Sequence, residues 1–328
     1  MHLTKHGETP MKFNKLLSVL TLATIGFGFG TVQAKDDLYI PVVSKGYQHE
    51  FWQTVKLGSD TAAKELGVRT DFVGPADETQ ISQQIQLMEN QMARKPDAIL
   101  LAALDANALV IPVEEAASRG IKIATFDSGV NSDIPKTFVA TNNIKAGADA
   151  AKALGEMLKG KGKVGIIAHV AGTTSAIQRS EGFINAMNEY YPDIKLLDVQ
   201  YSDGDPQKSM DKAIDMYRAN SDLAAIYATN EGVTLGVGNA IDSMNLAGKV
   251  LVMGFDSTEG IISFLKAGTI QGFVVQDAYQ IGYQGLKALY NVIKGENIPL
   301  SIDIPVKVIT AENIDSPEMQ KLLFPFGK

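Results

Sequence analysis

The sequence contains no cysteine, and its 328 residues include only four histidines and one tryptophan. The lack of cysteine excludes disulfide bonds, thiolate metal sites, catalytic thiols and a lipid anchor on an N-terminal cysteine. Only His49 and His169 lie beyond the N-terminal region, and they are far apart in the chain. No His-Glu-x-x-His, Gly-x-Ser-x-Gly or P-loop motif is present. We therefore expect a protein that is not an enzyme and that uses neither a cofactor nor a metal ion.

Positive charge is also scarce. Lysine and arginine total 30 against 37 aspartates and glutamates, which gives a net charge of −7 at pH 7. Nucleic acids and anionic membrane surfaces attract clustered lysine and arginine, so an acidic chain without such clusters suits neither. We expect no nucleic acid and no membrane surface among the partners.

One apolar run near the N-terminus has the pattern of a secretory leader. Lys12 and Lys15 precede an uncharged run at residues 16–29, and small residues at 32 and 34 follow. This order predicts a cleaved signal peptide at residues 1–34, with residues 1–10 as an upstream extension. The alternative is a buried N-terminal helix. The run is shorter than the roughly 20 residues of a membrane span, so we expect a soluble, unanchored periplasmic protein.

After the leader, short apolar runs alternate with amphipathic stretches, and the pattern restarts near residue 142. Such alternation predicts parallel sheets covered by helices on both faces. Strands are predicted at residues 38–44, 70–73, 98–102, 121–126, 138–141, 163–169, 194–201, 224–228, 250–255 and 269–275. Helices are predicted at residues 51–66, 79–94, 107–119, 146–158, 175–190, 207–218, 233–244, 260–266 and 279–293. The fold class is therefore α/β, with two similar lobes.

Ligands of open α/β sheets bind beyond the carboxyl ends of the strands, so the residues at these ends are candidates for a binding site. Ser44 ends the first strand, and His49, Phe51 and Trp52 follow it. An aromatic ring at such a position can lie against the C–H face of a sugar. The alternative is that Phe51 and Trp52 begin a helix and pack into the core.

Two Phe-Asp-Ser units, at residues 126–128 and 255–257, each follow an apolar strand. The carboxylates of Asp127 and Asp256 at buried strand ends need hydrogen-bond donors, which vicinal sugar hydroxyls supply. The alternatives are a cap or turn role, or the acid and base of a glycosidase. Ser128 adjoins the first of these carboxylates.

Three further polar residues follow strands of the second half. Arg179 lies one turn into the helix after a Gly-rich turn, and its five donors suit a sugar ring. A surface salt bridge with Glu181 is the alternative. Asn230 and Gln276 each carry an amide donor and acceptor suited to hydroxyls. Either could instead cap a helix or lie in a turn.

The order of these segments and their amino-acid sequences resemble those of the ribose- and galactose-type periplasmic sugar-binding proteins. The resemblance covers nearly the whole chain after the leader. It depends on the segments Val-Val-Ser at 42–44, Ile-Lys-Ile-Ala-Thr-Phe-Asp at 121–127, Gly-Thr-Thr-Ser-Ala-Ile-Gln-Arg-Ser-Glu-Gly-Phe at 172–183, Ala-Thr-Asn-Glu at 228–231, Val-Met-Gly-Phe-Asp at 252–256 and Gln-Asp-Ala-Tyr-Gln-Ile-Gly at 276–282.

The resemblance implies a site role for each matching residue. Phe51 and Trp52 match the aromatic pair that holds the sugar from the first lobe, and Asp127 matches its carboxylate. Ser44 matches the serine that ends the first strand. The second-lobe polar set is matched by Arg179, Asn230, Asp256 and Gln276.

The resemblance also implies three hinge crossings. These would divide the chain into an N-terminal lobe of residues 35–141 and 277–306 and a C-terminal lobe of residues 142–276 and 307–328.

The chain departs from the ribose-type pattern at three places. Ser128 stands where an arginine pairs with the first-lobe aspartate, Gly204 stands where an aromatic residue is found, and His49 lies near the position of an asparagine. We therefore expect that one fixed cation and one stacking face are missing, and that the ligand is a pentose, a hexose or a cyclitol such as inositol.

The implied function is capture of such a ligand by hinge closure and its delivery to the permease of an ABC importer in the inner membrane, by a protein acting as a monomer. The alternative is a periplasmic sensor that presents the ligand to a membrane kinase or chemoreceptor. A repressor of the same fold would need an N-terminal helix-turn-helix, where this chain has the predicted leader.

Overall fold

The computed structural model describes residues 38–324, which belong to one compact unit. The predicted signal peptide lies outside the described residues. The strands are β1 (Val42–Val43), β2 (Phe72–Val73), β3 (Ala98–Leu101), β4 (Lys122–Phe126), β5 (Phe138–Thr141), β6 (Gly162–Ala168), β7 (Ile194–Leu196), β8 (Gln200–Tyr201), β9 (Leu223–Ala228), β10 (Leu251–Phe255), β11 (Gly272–Gln276), β12 (Ser301–Ile304) and β13 (Val306–Thr310).

Helices alternate with these strands. They are α1 (Glu50–Leu66), α2 (Ile81–Ala93), α3 (Val110–Ser118), α4 (Asn143–Met157), α5 (Thr174–Tyr190), α6 (Pro206–Ala219), α7 (Glu231–Ser243), α8 (Glu259–Ala267), α9 (Ala278–Ile293) and α10 (Pro317–Leu323). No helix within residues 38–324 is both long enough and apolar enough to cross a lipid bilayer.

The strands form two separate sheets. The first has six parallel strands in the order β12-β5-β4-β3-β1-β2. The second has seven strands, in the order β13-β11-β10-β9-β6-β7 with β8 beside β6, and only β13 is antiparallel to its neighbour. The predicted α/β class, with two mostly parallel sheets flanked by helices, is therefore confirmed.

The sheets are buried on both faces, which explains why their strands are continuous apolar runs. Successive side chains of a strand point to opposite faces. In β9, Ile226 packs into one hydrophobic cluster, whereas its neighbours Ala225 and Tyr227 pack into another on the opposite face. In β3, Leu100 and Ile99 divide in the same way between two clusters of the first sheet.

The chain passes between the sheets three times. It leaves β5 at Thr141 for α4, leaves β11 at Gln276 for α9, and passes from β12 to β13 through Pro305. α4 packs on the second sheet and α9 on the first. These crossings lie at the places that the resemblance implies, and the exact lobe boundaries stay a prediction.

Several element boundaries differ from the predicted ones. The predicted strand at 38–44 is reduced to β1 and an isolated bridge between Tyr39 and Arg69, because Pro41 has no N–H to donate to a ladder. The predicted strand at 194–201 is split into β7 and β8. α4 begins at Asn143 rather than at 146, because the side chain of Asn142 accepts a hydrogen bond from Lys145 N and caps the helix.

The elements β12, β13 and α10 were not predicted. The two strands are short, carry polar residues and are separated only by Pro305, so their periodicity is weak. They lie at the edges of the two sheets, where half-exposed polar residues are tolerated.

Candidate functional site

A cavity lies at the carboxyl ends of strands from both sheets. Apart from Phe51 and Trp52, the side chains that line it are all polar or charged, which suits a small polar ligand. Eight of the ten predicted site residues line it, together with four that were not predicted: His49, Phe51, Trp52, Asp127, Arg179, Asn230, Asp256 and Gln276, and then Lys45, Glu78, His169 and Glu231.

Trp52 packs into the core, as one of the two interpretations predicts, and its place at the cavity is compatible with the other, which stays a prediction. It lies in the first turn of α1, it is fully buried in the core of the first sheet, and it lines the cavity. Phe51 and Phe126 meet its ring edge-on, with centroids 4.9 and 6.1 Å away. Its indole Nε1 donates to Oε1 of Glu78 at 2.9 Å. These contacts hold the indole in a fixed orientation at the cavity wall.

The expectation of a missing cation beside the first-lobe carboxylate is wrong. The ammonium of Lys45 lies 3.0 Å from Oδ2 of Asp127, and both side chains are buried. Lys45 also donates to Oγ of Ser128 at 3.0 Å and to Oγ of Ser175 at 3.2 Å. The three N–H groups of the ammonium can thus all be used, and a lysine from the loop after β1 takes the place expected for an arginine.

Ser44 and Ser128 do not line the cavity. The hydroxyl of Ser44 lies within hydrogen-bond distance of the backbone carbonyls of Gly46 and Val73 and can donate to either, which holds the loop that carries Lys45. The hydroxyl of Ser128 lies 2.7 Å from Oδ2 of Asp127, behind the carboxylate. Both serines therefore support residues that face the cavity, and a direct contact of either with a ligand stays a prediction.

Arg179 is buried in the second lobe, so the alternative of a surface salt bridge is excluded. Its Nε donates to Oδ1 of Asn143 at 2.8 Å, and its Nη1 donates to the carbonyl of Thr229, also at 2.8 Å. The guanidinium carbon lies 3.7 Å from the centroid of the Phe255 ring. These contacts fix the guanidinium with two of its five N–H donors, while Arg179 lines the cavity.

Within residues 38–324, no lysine forms an ion pair with Asp256. Its Oδ1 accepts a hydrogen bond from Nε2 of Gln276 at 2.8 Å. Burial raises the pKa of the carboxyl to about 6, although Arg179 and the bond from Gln276 lower it. Its backbone, like that of Asp127, has a positive φ, which is uncommon for a residue other than glycine and is found frequently at functional sites.

Asn230 has the capping role that was considered for it and lines the cavity as well. Its Oδ1 accepts from Val233 N at 3.0 Å, which caps α7. Its Nδ2 lies 3.5 Å from Nε2 of His49, a residue of the first lobe. The side chain is thus positioned by the helix while its amide nitrogen faces the other lobe.

The pKa values of the two histidines are shifted in opposite directions. Burial, and then the charges of Lys45, Arg179 and His49, hold the pKa of His169 well below its usual value. The ammonium of Lys45 is a donor and not an acceptor, so Ser175 accepts its hydrogen bond. The proton of the Ser175 hydroxyl is then available for Nε2 of His169, 3.0 Å away. A neutral His169 with its proton on Nδ1, 2.8 Å from Oγ1 of Thr229, satisfies this network.

His49 is also buried, but its pKa is raised. Burial alone would lower this pKa, and the hydrogen bond to Glu231 together with the charges of Glu78, Glu231 and Asp256 outweighs burial. Nδ1 of His49 lies 3.5 Å from Oε1 of Glu231. The contact between His49 and Glu231 joins the two lobes, and the raised pKa of His49 favours the charged form of its imidazole.

Glu231 of the second lobe caps a helix of the first. Its Oε1 accepts from Glu50 N and its Oε2 from Phe51 N, both at 3.0 Å. His49, the N-cap residue of α1, makes no side-chain cap of its own. The carboxylate therefore satisfies two N–H groups at the positive end of α1 from across the cleft.

The four cavity residues that were not predicted differ in how clearly the sequence marks them as site residues. Lys45 follows the strand-end residue Ser44, and His169 follows β6 directly, so the strand-end rule applied strictly would have included both. Glu231 adjoins Asn230 and has the same signal. Glu78 lies five residues beyond β2, in a loop without a local pattern, and only the folded structure places it at the cavity.

The chain matches the family described as periplasmic binding protein domain over residues 40–297, and it belongs to this family. It is 31% identical over 296 residues to the D-allose-binding periplasmic protein of Escherichia coli K12, covering 88% of this chain and 94% of that protein. The predicted resemblance to periplasmic sugar-binding proteins is confirmed.

Solved structures agree with this assignment. A carbohydrate transporter solute-binding protein from Agrobacterium radiobacter, in complex with D-arabinose, is 35% identical with a TM-score of 0.85, covering 88% of this chain and 100% of that one. An ABC transporter solute-binding protein from Agrobacterium vitis, with bound D-fucose, is 35% identical with a TM-score of 0.83, covering 87% and 99%.

Proposed function

We propose that this protein captures a monosaccharide or cyclitol between its two lobes and delivers it to the permease of an ABC importer. The observation that carries the proposal is the cavity at which buried polar side chains of both lobes converge. The names of the similar proteins, which bind D-allose, D-arabinose and D-fucose, support the same ligand class.

The chemistry of the cavity suits a polyhydroxylated ring. The aromatic surface of Trp52 and Phe51 matches the apolar C–H face of such a ring. Asp127 and Asp256 offer charged acceptors, whereas Arg179 and Asn230 offer donors, so each hydroxyl can find a partner. A wrong stereoisomer would leave one of these buried groups unpaired, which is how such a site discriminates.

Hinge closure follows from the placement of these residues on two lobes. A ligand that contacts Asp127 on one lobe and Arg179 on the other binds the closed form more tightly than the open form, and so favours closure. We further propose that the mature chain begins after the predicted signal peptide, acts as a monomer in the periplasm and releases its ligand chemically unchanged.

A thermal-shift screen of the purified protein tests the proposal. The panel would contain D-allose, D-ribose, D-arabinose, D-fucose, D-tagatose and myo-inositol. A ligand at about 100 times its dissociation constant adds about 2.7 kcal/mol to the free energy of unfolding, which raises the melting temperature by several degrees. A melting temperature that stays constant across the panel would contradict the ligand class. A sugar recovered in altered form after incubation would contradict the role in binding alone.

A further inference from the structure

Glu78 has one carboxyl oxygen in use and one without a partner. The residue is 2% exposed and lines the cavity. Oε1 accepts the hydrogen bond from the indole of Trp52. Oε2 is buried, and it has no hydrogen-bond partner among the described residues.

An unpaired carboxyl oxygen in the interior is costly. Buried polar groups almost always have a partner, and an orphaned one loses its hydration without compensation. The ammonium of Lys45, the nearby cation of the first lobe, already has three partners of its own, namely Asp127, Ser128 and Ser175. The imidazole of His49, the other basic group of this wall, has Glu231 as its hydrogen-bond partner.

The arrangement gives the carboxyl group two functions. Its bond to Trp52 holds the indole in the orientation described above, and its second oxygen belongs to a residue that lines the same cavity. A ring that lies against the indole therefore presents its edge, and hence its hydroxyls, to the neighbourhood of Glu78.

We propose that Oε2 of Glu78 accepts a hydrogen bond from one hydroxyl of the bound sugar, so that Glu78 is a specificity-determining contact as well as the residue that positions Trp52. This inference rests on the proposed function. A sugar that lacks this hydroxyl leaves the buried oxygen unpaired, and the site rejects it for that reason.

The variant Glu78→Gln separates the two functions. Its amide oxygen can still accept from the indole, but its amide nitrogen replaces the free carboxylate oxygen. Because Trp52 is the only tryptophan, the fluorescence emission of the protein without sugar reports its environment alone. We expect this emission to be unchanged in Glu78→Gln and shifted in Glu78→Met, which has no acceptor. Glu114→Gln, at an exposed position on α3, is the matched control.

Titration calorimetry with D-allose and its derivatives that each lack one hydroxyl tests the contact, with D-arabinose and its derivatives used in the same way if the wild-type protein binds only the pentose. We expect Glu78→Gln to weaken binding of the parent sugar about 10- to 100-fold, as for the loss of a hydrogen bond to a charged group. For one derivative, the wild type and the variant should bind equally, because the hydroxyl that Glu78 contacts is already missing. Glu114→Gln should bind like the wild type.

Two results would overturn the inference while leaving the proposed function intact. One is an unchanged affinity of Glu78→Gln for the parent sugar. The other is an equal loss for every derivative, since a purely structural role does not depend on which hydroxyl is absent. If the wild-type protein binds no sugar at all, the proposed function fails together with the inference.

Discussion

Asp127 and Asp256 occupy equivalent places in the two lobes, yet their surroundings differ. Each follows a Phe at the carboxyl end of a parallel strand and precedes a Ser, and each has a positive φ, of 54° and 64°. Asp127 has the Lys45 ammonium 3.0 Å away. The hydrogen-bond partner of Asp256 is the neutral amide of Gln276, and burial raises its pKa to about 6. The backbone geometry is repeated between the lobes, but the compensation of charge is not.

The surroundings of the two carboxylates differ because the side chains that contact them come from different parts of the chain. The turn that presents each carboxylate is local, so the same short sequence produces it twice. The partners come from distant parts of the chain: Lys45 from the loop after β1, and Gln276 from the last residue of β11. A repeated motif thus specifies the position of a carboxylate, whereas its ionisation depends on residues outside the motif.

The largest expected effect follows from breaking the ion pair of the first lobe. Lys45→Met leaves Asp127 as a buried charge without its cation, and we expect the free energy of unfolding to fall by about 3–5 kcal/mol. Urea unfolding at pH 7 measures it. The double variant Lys45→Met/Asp127→Asn should recover much of the loss, because no unpaired charge remains. A double variant as unstable as the single one would show that packing, and not charge, explains the loss.

Replacing aspartate with asparagine should change the free energy of unfolding in opposite directions in the two lobes. The folded pKa of Asp256, about 6, lies above its unfolded value of 3.8. Its contribution to stability is therefore fully present below pH 3.8 and is lost as the pH rises through 6. At pH 7, Asp256→Asn should raise the free energy of unfolding by up to about 3 kcal/mol, whereas Asp127→Asn should lower it.

The affinity of Asp256→Asn for sugar tests the role of Asp256 independently of its effect on stability. We expect Asp256→Asn to weaken binding about 10- to 100-fold at pH 7, because a charged acceptor is lost. Wild-type affinity should decline as the pH falls below 6, where Asp256 is protonated, and the variant should lack this decline. Urea unfolding and calorimetry between pH 5 and 8 measure both properties. A variant that is less stable than the wild type at pH 7 would contradict the assigned pKa.

The smallest expected effect concerns the contact between the lobes. Glu231→Gln keeps one oxygen that can accept from α1, but it replaces the second acceptor with an NH2 group and removes the charge from the helix N-terminus and from His49. We expect sugar binding to weaken by less than about tenfold, equivalent to at most about 1.4 kcal/mol, in line with the strength of helix caps. Glu259→Gln, in the exposed first turn of α8, is the control. An effect as large as that of Asp256→Asn would mean that Glu231 itself contacts the sugar.

The sequence predicted the fold from features that are local. Apolar runs and helical periodicity identify β3 to β6 and β9 to β11, because both faces of these strands are buried. The same reasoning failed for β12 and β13, whose exposed edge positions weaken the pattern. The start of α4 lies earlier than predicted, because the side chain of Asn142 supplies its cap.

The candidate site was predictable to the extent that its residues end strands. Asp127, Asp256, Asn230 and Gln276 follow this rule, and the structure brings them to one cavity. The role of Glu231 could not be read in this way, because its partners, the N–H groups of α1, lie about 180 residues away in the chain. Glu78 likewise becomes visible only once its loop is folded beside Trp52.

The cap that Glu231 places on α1 joins the lobes through protein atoms alone, and so does the bond from Lys45 to Ser175. Such bonds determine what fraction of the molecules is closed before any sugar arrives. Apparent affinity is the intrinsic affinity of the closed form scaled by that fraction. Substitutions at these bonds can therefore tune how much sugar is needed to load the receptor while the choice of sugar stays the same. Selectivity and sensitivity are thus set by different residues of one cleft.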